Sequence, residues 1–297
     1  MTLFHGLSAF PLTPAAPNGE VDVAGVRALA RRLVDAGVDS IGLLGSTGAY
    51  PFFRPDQRRR AVAAAVAEVA GAVPVMVGIG ALRTDEVLRL GHDAEAAGAD
   101  ALLLAPVSYT PLTDREVYGL FETVATAMTR PVAIYHNPGT THFAFGDALV
   151  ARLSELPNVQ AVKNPLPTSG TIADELARLR RHTPDGFAIG YSGDWGCVEA
   201  LLAGADAWYS VLAGLFPEVC VELTRAAVAG DAQAARAKND ALVPLWELFK
   251  ELGSIRVIYA AANIRGISGA QPPLPILPLA DRDRKRVHET LDRLDLR

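Results

Sequence analysis

Three short segments of this chain carry side chains suited to carbonyl chemistry. "NVQAVKNPLP", residues 158–167, reads as a brief buried strand (Val159, Ala161, Val162) that ends in Lys163. The chain holds four lysines among its 28 basic residues, and Lys238, Lys250 and Lys285 all lie in polar, helix-like surroundings. A lysine at the end of an apolar strand can snorkel its ammonium out to water, or it can be held dry. An ordinary lysine has a pKa of about 10.4, so roughly one molecule in a few thousand is unprotonated at neutral pH. Desolvation disfavours the ammonium and turns the amine into a nucleophile for a carbonyl. The protonated imine that results is an electron sink for the carbanion left when a neighbouring bond breaks.

Such an amine needs a proton carrier and a holder for its substrate. The segment "AIYHNPGTTHF" (133–143) supplies a phenol, Tyr135, at the end of another apolar run, followed by His136, Asn137 and the turn Pro138-Gly139. A tyrosine on a strand is often plain core; the polar residues after this one favour a chemical role. In "LLGSTGAY" (43–50), glycines flank Ser46-Thr47. They permit a backbone path that turns N–H groups and two hydroxyls toward one point, a nest for a carboxylate. An ordinary turn explains G-S-T-G equally well.

The elements that must position these groups repeat. "LVDAGVDSIGLLG" (33–45), "DAEAAGADALLLAP" (93–106) and "EALLAGADAWYSVLAG" (199–214) each close a helix at Ala-Gly and run into a short apolar segment. Glycine there is a left-handed helix stop, and an apolar run without alternation is a strand covered on both faces. Eight strands are expected at 7–10, 38–44, 74–79, 100–105, 131–136, 159–163, 186–191 and 206–212, with helices between them. Pro55-Asp56, Thr84-Asp85 and Thr113-Asp114 place caps or carboxylates at helix starts. The fold class expected is α/β, a (β/α)8 TIM barrel over residues 1–230. A helical extension over 231–297, packed on the barrel, is expected to follow. Periodicity does not count closure, so an open doubly wound sheet is the alternative. In a barrel, reactive groups belong at the carboxyl ends of strands, where Lys163, Tyr135 and Ser46-Thr47 all fall.

Bulk properties narrow the function classes. Net charge is −5. "RRR" (58–60) and "DRDRKR" (281–286) fit solvated helix faces, so nucleic acid is not expected as a partner. Cys197 and Cys220 form no CxxC pair and the six histidines no HxxxH or HExxH pattern, so no metal is expected. Residues 61–82 are long enough to span a bilayer, but Glu68, Gly71 and Pro74 interrupt them, and the N-terminus lacks a signal-peptide pattern. The protein is expected to be soluble and cytoplasmic, with no membrane partner. "GIGALR" (78–83) lacks the third glycine of a dinucleotide loop.

G-S-T-G, Y-x-N-P and V-K-N, in that order at the ends of strands two, five and six, resemble the dihydrodipicolinate synthase / N-acetylneuraminate lyase family of class I pyruvate-dependent aldolases. "AFPLTP" (9–14), "GEVDVAGVRAL" (19–29), "SGDW" (192–195) and "PPL" (272–274) extend the resemblance over nearly the whole chain. It implies Lys163 as the imine-forming lysine and Tyr135 as the proton shuttle. Ser46 and Thr47 would bind the carboxylate, with Thr47 relaying protons to Tyr135. It also implies a homo-oligomer, dimer or tetramer, and no organic cofactor.

Departures from the family pattern bear on the substrate. Ala49 replaces the glutamate of G-[ST]-T-G-E, and Thr140 replaces the arginine two residues past the proline. An arginine there would grip a second carboxylate by a fork that threonine cannot form. "PVSYTP" (106–111) replaces the family's tyrosine pair, leaving Tyr109, one step displaced and preceded by Ser108, as the stand-in. Thr140, Thr141, His142, Asn164 and Ser210 are expected to line a polar pocket. The expected function is a Schiff-base lyase, aldolase or dehydratase, acting on a small 2-oxo acid of the 2-keto-3-deoxy sugar-acid type, with pyruvate as product or co-substrate. Dihydrodipicolinate synthase proper and a non-catalytic sugar-acid-binding barrel are the alternatives.

Overall fold

The structure, a computed structural model, describes residues 3–297. Its strands are β1 (Gly6–Ala9), β2 (Ser40–Leu43), β3 (Val75–Gly78), β4 (Ala101–Leu104), β5 (Val132–Tyr135), β6 (Val159–Asn164), β7 (Ala188–Tyr191) and β8 (Ala207–Ser210). Helices α1 (Val23–Ala36), α2 (Pro55–Val69), α3 (Thr84–Ala96) and α4 (Asp114–Ala127) follow the first four. After β5 come a single turn, α5 (Pro138–Thr141), and then α6 (Asp147–Ser154). Strand β6 leads to α7 (Ile172–His182), β7 to α8 (Cys197–Leu202) and β8 to α9 (Pro217–Val228). Helices α10 (Ala232–Leu252), α11 (Ser254–Ile264) and α12 (Asp281–Arg293) complete the chain.

All eight strands are parallel and each pairs with the next; β1 also pairs with β8, so the sheet closes. Closure removes the open doubly wound alternative. The repeated Ala-Gly stops act as the sequence implies: Gly37, Gly98 and Gly204 all hold positive φ (79°, 92° and 94°). Gly37 returns its N–H to the carbonyls of Leu33 and Val34, which ends α1 and turns the chain toward β2. At α4, Thr113 and Glu116 form a reciprocal capping box. Six strands are shorter than the apolar runs suggest, while β1 keeps the expected length and β6 runs one residue further, to Asn164. Helix α5 was not expected. Pro138 starts it, and the Asn137 carbonyl accepts from the N–H groups of Thr140 and Thr141. Arg58 corrects another expectation: it lies on the buried side of α2 rather than on a solvated face.

Alternate residues of each strand face in or out. Outward Val, Ile and Leu side chains pack under the helices in the main core. The inner cluster is a layer of small residues (Ala101, Ala133, Ala161, Ala188, Ala207) spanned by a few large ones, chiefly Phe10, Met76, Leu103, Tyr135 and Tyr209. Glycines make room for the rings. A Cβ on Gly42 or Gly45 would run into Phe10, and one on Gly190 would come within 2.5 Å of the Tyr209 ring. Helix α10 packs on α8 and α9 and carries α11 and α12 with it. Residues 271–279, rich in proline, join α11 to α12 without regular structure.

Gly190→Ala is therefore expected to destabilise by about 1–3 kcal/mol, the usual cost of overpacking a filled core. Chemical denaturation reads this as a lowered midpoint with unchanged slope; an unchanged midpoint would mean that the Tyr209 ring is free to move aside.

Candidate active site

Strand β6 alternates so that Ala161 and Lys163 point into the barrel while Val162 and Asn164 point out. The Lys163 side chain is 5% exposed. Its amine lies 4.1 Å from the centre of the Phe10 ring, 4.3 Å from that of Tyr135 and 5.8 Å from that of Tyr209. Among the described residues no carboxylate pairs with it. The snorkelling alternative is removed: this nitrogen is enclosed by ring faces.

Tyr135 is in register with Lys163 across the β5–β6 ladder, so both side chains project inward at the same height. Its hydroxyl lies 2.9 Å from Ser46 Oγ. Asn137 Nδ2 donates to both, at 3.1 Å to Ser46 Oγ and 3.2 Å to the Tyr135 oxygen. Burial pushes the Tyr135 phenol up. The charge of Lys163 and the hydrogen bonds from Ser46 and Asn137 outweigh burial and hold it below the ordinary phenol range. A phenol set this way gives up and recovers a proton more readily than a free one.

The turn that brings Ser46 into place is tight. Leu44 and Ala49 both adopt left-handed backbone (φ 54°), and Thr13 Oγ1 donates to the Gly48 carbonyl at 2.9 Å. Within the turn the N–H groups of Ser46 and Thr47 carry no hydrogen bond among the described residues. They remain available to an anion. Thr47 is buried beside Ser46, yet its hydroxyl makes no hydrogen bond to Tyr135. The hydroxyl in contact with the phenol is that of Ser46, not that of Thr47, through which the relay is expected.

Other expected site residues disperse. Asn164 faces outward, where its Oδ1 lies 3.3 Å from His136 Nδ1, so it does not line the pocket. Ser210 also faces outward, bonded to Asp194 at 3.3 Å and accepting from Ala213 N–H at 3.0 Å; the expectation that it lines the pocket is corrected. Thr140 is exposed at the mouth with its hydroxyl on the Asn137 carbonyl, and buried Thr141 bonds the same carbonyl at 3.0 Å. His142 is exposed and caps α5 in a left-handed conformation (φ 56°). Ser108 is half-buried; Tyr109, 96% exposed, reaches no group of its own chain's site.

Reading the sequence missed Asn137 as a bridging donor, although its place two residues past Tyr135 was visible. Phe10 and Tyr209 were also missed, because nothing local distinguishes a ring that floors a site from ordinary core. Two motifs find structural uses. In "SGDW" the buried carboxylate of Asp194 accepts from the Trp208 indole (3.0 Å), the Val211 N–H (3.2 Å) and the Leu212 N–H (2.7 Å). In "GIGALR" the carbonyls of Gly78 and Gly80 accept from Arg58, at 2.7 and 3.0 Å. No helix among the described residues is long and apolar enough to cross a membrane.

A closed parallel barrel that buries an amine beside a hydrogen-bonded phenol defines a class I enzyme, one that works through a lysine Schiff base. Comparison with known proteins narrows this. The family model of the dihydrodipicolinate synthetase family matches residues 3–294. A 4-hydroxy-tetrahydrodipicolinate synthase of Nitrosospira multiformis is 36% identical over 94% of this chain and 92% of its own. The crystal structure of a dihydrodipicolinate synthase from Agrobacterium tumefaciens is 57% identical, with TM-score 0.97 and 98% of each chain covered. A chloride-inhibited dihydrodipicolinate synthase from Acinetobacter baumannii, complexed with pyruvate, is 26% identical with TM-score 0.90, covering 99% of this chain and all of its own. The chain belongs to the dihydrodipicolinate synthetase family, and it is a pyruvate-dependent Schiff-base lyase of that family's kind.

Ser46→Ala removes one hydrogen-bond partner of the phenol while burial remains. The Tyr135 phenol is then expected to titrate higher, seen as tyrosinate absorbance emerging at higher pH than in the parent protein. Turnover should fall about tenfold to a hundredfold, the worth of a hydrogen bond to a charged group at about 1.5–3 kcal/mol.

Proposed function

We propose that the protein condenses pyruvate with a small aldehyde that itself carries a carboxylate, the reaction for which its curated relatives are named. The observation that carries this reading is the Lys163 amine, enclosed by rings and in register with Tyr135. Lys163 Nζ adds to the 2-oxo carbon of pyruvate, and water leaves as the imine forms. The pyruvate carboxylate sits against the N–H groups of Ser46 and Thr47. The imine withdraws electrons, the methyl carbon loses a proton to give an enamine, and that carbon attacks the aldehyde. Tyr135, bonded to Ser46 and Asn137, moves protons between the carbinolamine oxygen, the nitrogen and the incoming aldehyde oxygen. Hydrolysis returns the free amine.

The partner follows from the relatives' name, 4-hydroxy-tetrahydrodipicolinate synthase. A dipicolinate skeleton has seven carbons and two carboxylates. Pyruvate supplies three of those carbons, so the aldehyde is a four-carbon amino-acid semialdehyde. A second reading keeps the same imine but cleaves a 2-keto-3-deoxy sugar acid, and Thr140 favours it, because a hydroxyl at the mouth suits a hydroxylated chain better than a second carboxylate. The relatives' names weigh toward condensation. We also read the protein as a homo-oligomer: Leu82 and Tyr109 stand exposed on the loops after neighbouring strands β3 and β4, an apolar surface at the site's rim.

Borohydride reduction in the presence of pyruvate should add a pyruvyl-derived mass at Lys163. Lys163→Arg should remove both labelling and turnover, because a guanidinium does not deprotonate at working pH. Assayed in parallel, the semialdehyde with pyruvate should be consumed faster than any 2-keto-3-deoxy acid is cleaved. The reverse order would select the second reading, and an unlabelled Lys163 peptide would reject both.

A further inference from the structure

A second pair of side chains stands behind the amine and the phenol, on the outer face of the same two strands. Tyr135 and Lys163 are ladder partners pointing inward; the next residues, His136 and Asn164, point outward. The His136 N–H donates to the Lys163 carbonyl at 3.0 Å, and its side chain repeats the link, with Nδ1 3.3 Å from Asn164 Oδ1. On the other side of the ring, the Phe145 N–H donates to His136 Nε2 at 3.3 Å.

These contacts fix the tautomer. A backbone N–H can only donate, so Nε2 holds a lone pair and Nδ1 carries the hydrogen that goes to Asn164. Turning the amide over would set two donors against each other, so the same contact fixes Asn164. The ring is held edge to face by Phe145, at 5.4 Å between centres, and Phe145 packs in turn on Phe121 and Phe143. Asn164 also ties the next strand, its carbonyl accepting from the Ser192 N–H at 2.7 Å and the Ser192 hydroxyl at 3.1 Å.

We propose that His136 is a positioning residue: in its neutral, Nδ1-protonated form it pins the end of β5 to β6 and to the segment before α6, and so holds the Tyr135 phenol at working distance from Lys163. Proton transfer is steep in distance, and a misplacement of about 1 Å can cost on the order of a hundredfold. The reaction is served by His136 without its touching substrate.

Protonation would undo the clamp, since Nε2–H would then face the Phe145 N–H. Burial holds His136 below the ordinary imidazole range, with the Asn164 hydrogen bond pulling only partly back. The neutral form is therefore the folded one, and the clamp is lost only as pH falls below that range. Of the charged groups on α6 and α7, Asp147 is paired with Arg178 at 2.8 Å and Glu175 is half-buried; no charged group bonds or ion-pairs with His136 among the described residues. Helix α4 turns only apolar side chains inward here, Val117, Phe121, Val124 and Ala125.

The inference rests on imine chemistry at Lys163, and its test keeps the two apart. Exchange of the pyruvate methyl protons in deuterated water, followed by NMR from pH 5 to 8, reports enamine formation; borohydride labelling reports the imine alone. His136→Phe fills the box without the hydrogen bonds. It should exchange about tenfold to a hundredfold more slowly, with the pyruvate concentration for half-maximal rate nearly unchanged. His136→Gln can offer both a donor and an acceptor yet cannot titrate. It should recover most of the rate, and its rate relative to the parent's should rise as pH falls below the ordinary imidazole range, where the parent loses the clamp and the glutamine does not. Parent-like exchange in His136→Phe, or a ratio of His136→Gln to parent rates that stays flat from pH 8 to 5, overturns the proposal. Absence of labelling in the parent protein overturns instead the function on which it rests.

Discussion

One basic side chain buried without an acid to pair with it sets the terms for the rest of the molecule. Removing an ammonium from water costs several kcal/mol even after relaxation. Ring faces return part of this, about 0.5–2 kcal/mol each when water is excluded, and here three surround the nitrogen. The rings then have to fit inside a barrel of eight strands. That requirement explains why Gly42 and Gly45 lie against Phe10, why Gly190 lies against Tyr209, and why Gly214 closes on the Phe10 backbone. Small residues around the barrel and a few large ones across it are one solution to a single packing problem.

The other buried charges show what a structural solution looks like. Asp194 sits in the wall between β7 and β8, where four donors converge on its two oxygens. Burial raises its pKa and those donors bring it part of the way back. Arg58 spends its terminal nitrogens on the carbonyls of Gly78, at the end of β3, and Gly80, just past it, and lies over the Tyr50 ring; burial pulls it down to about 10. Both fasten backbone at the carboxyl ends of strands. Lys163 fastens nothing. Its nitrogen meets ring faces and no ion-pairing acid, which leaves a reactive atom free for a carbonyl.

Much of this could be read from the chain itself, because the signals were local. Ala-Gly stops followed by unbroken apolar runs fixed the order of elements, and Lys163 and Tyr135 stood out as polar ends of such runs. Facing was harder to read. Strand alternation decides it, and a boundary error of one residue reverses it. Asn164 and Ser210 were assigned to the pocket for lying at strand ends, yet both point outward, into the layer between sheet and helices. Which of two adjacent hydroxyls touches the phenol is equally hard to read: in a turn with left-handed residues at both ends, Ser46 and Thr47 cannot be told apart without its φ and ψ. The three rings around the amine come from β5, β8 and the residue after β1, far apart in sequence, and only closure brings them together.

The inner and outer halves of the site answer to different parts of the fold. On the proposed reading imine formation and proton transfer fall to Lys163 and Tyr135, which lie with Phe10 and Tyr209 on or beside strands, where moving one ring disturbs the core. On the same reading the choice of partner falls to the mouth, where Thr140 lies exposed on a loop. Barrels divide labour this way because loops can change without cost to the sheet. The first half of the reaction is therefore dictated by packing, which explains why a lysine, a tyrosine and a serine–threonine turn suffice to declare it. On that reading the second half rests on the rim, where Thr140 stands in place of an arginine while the amine, the phenol and the rings beneath keep their packing.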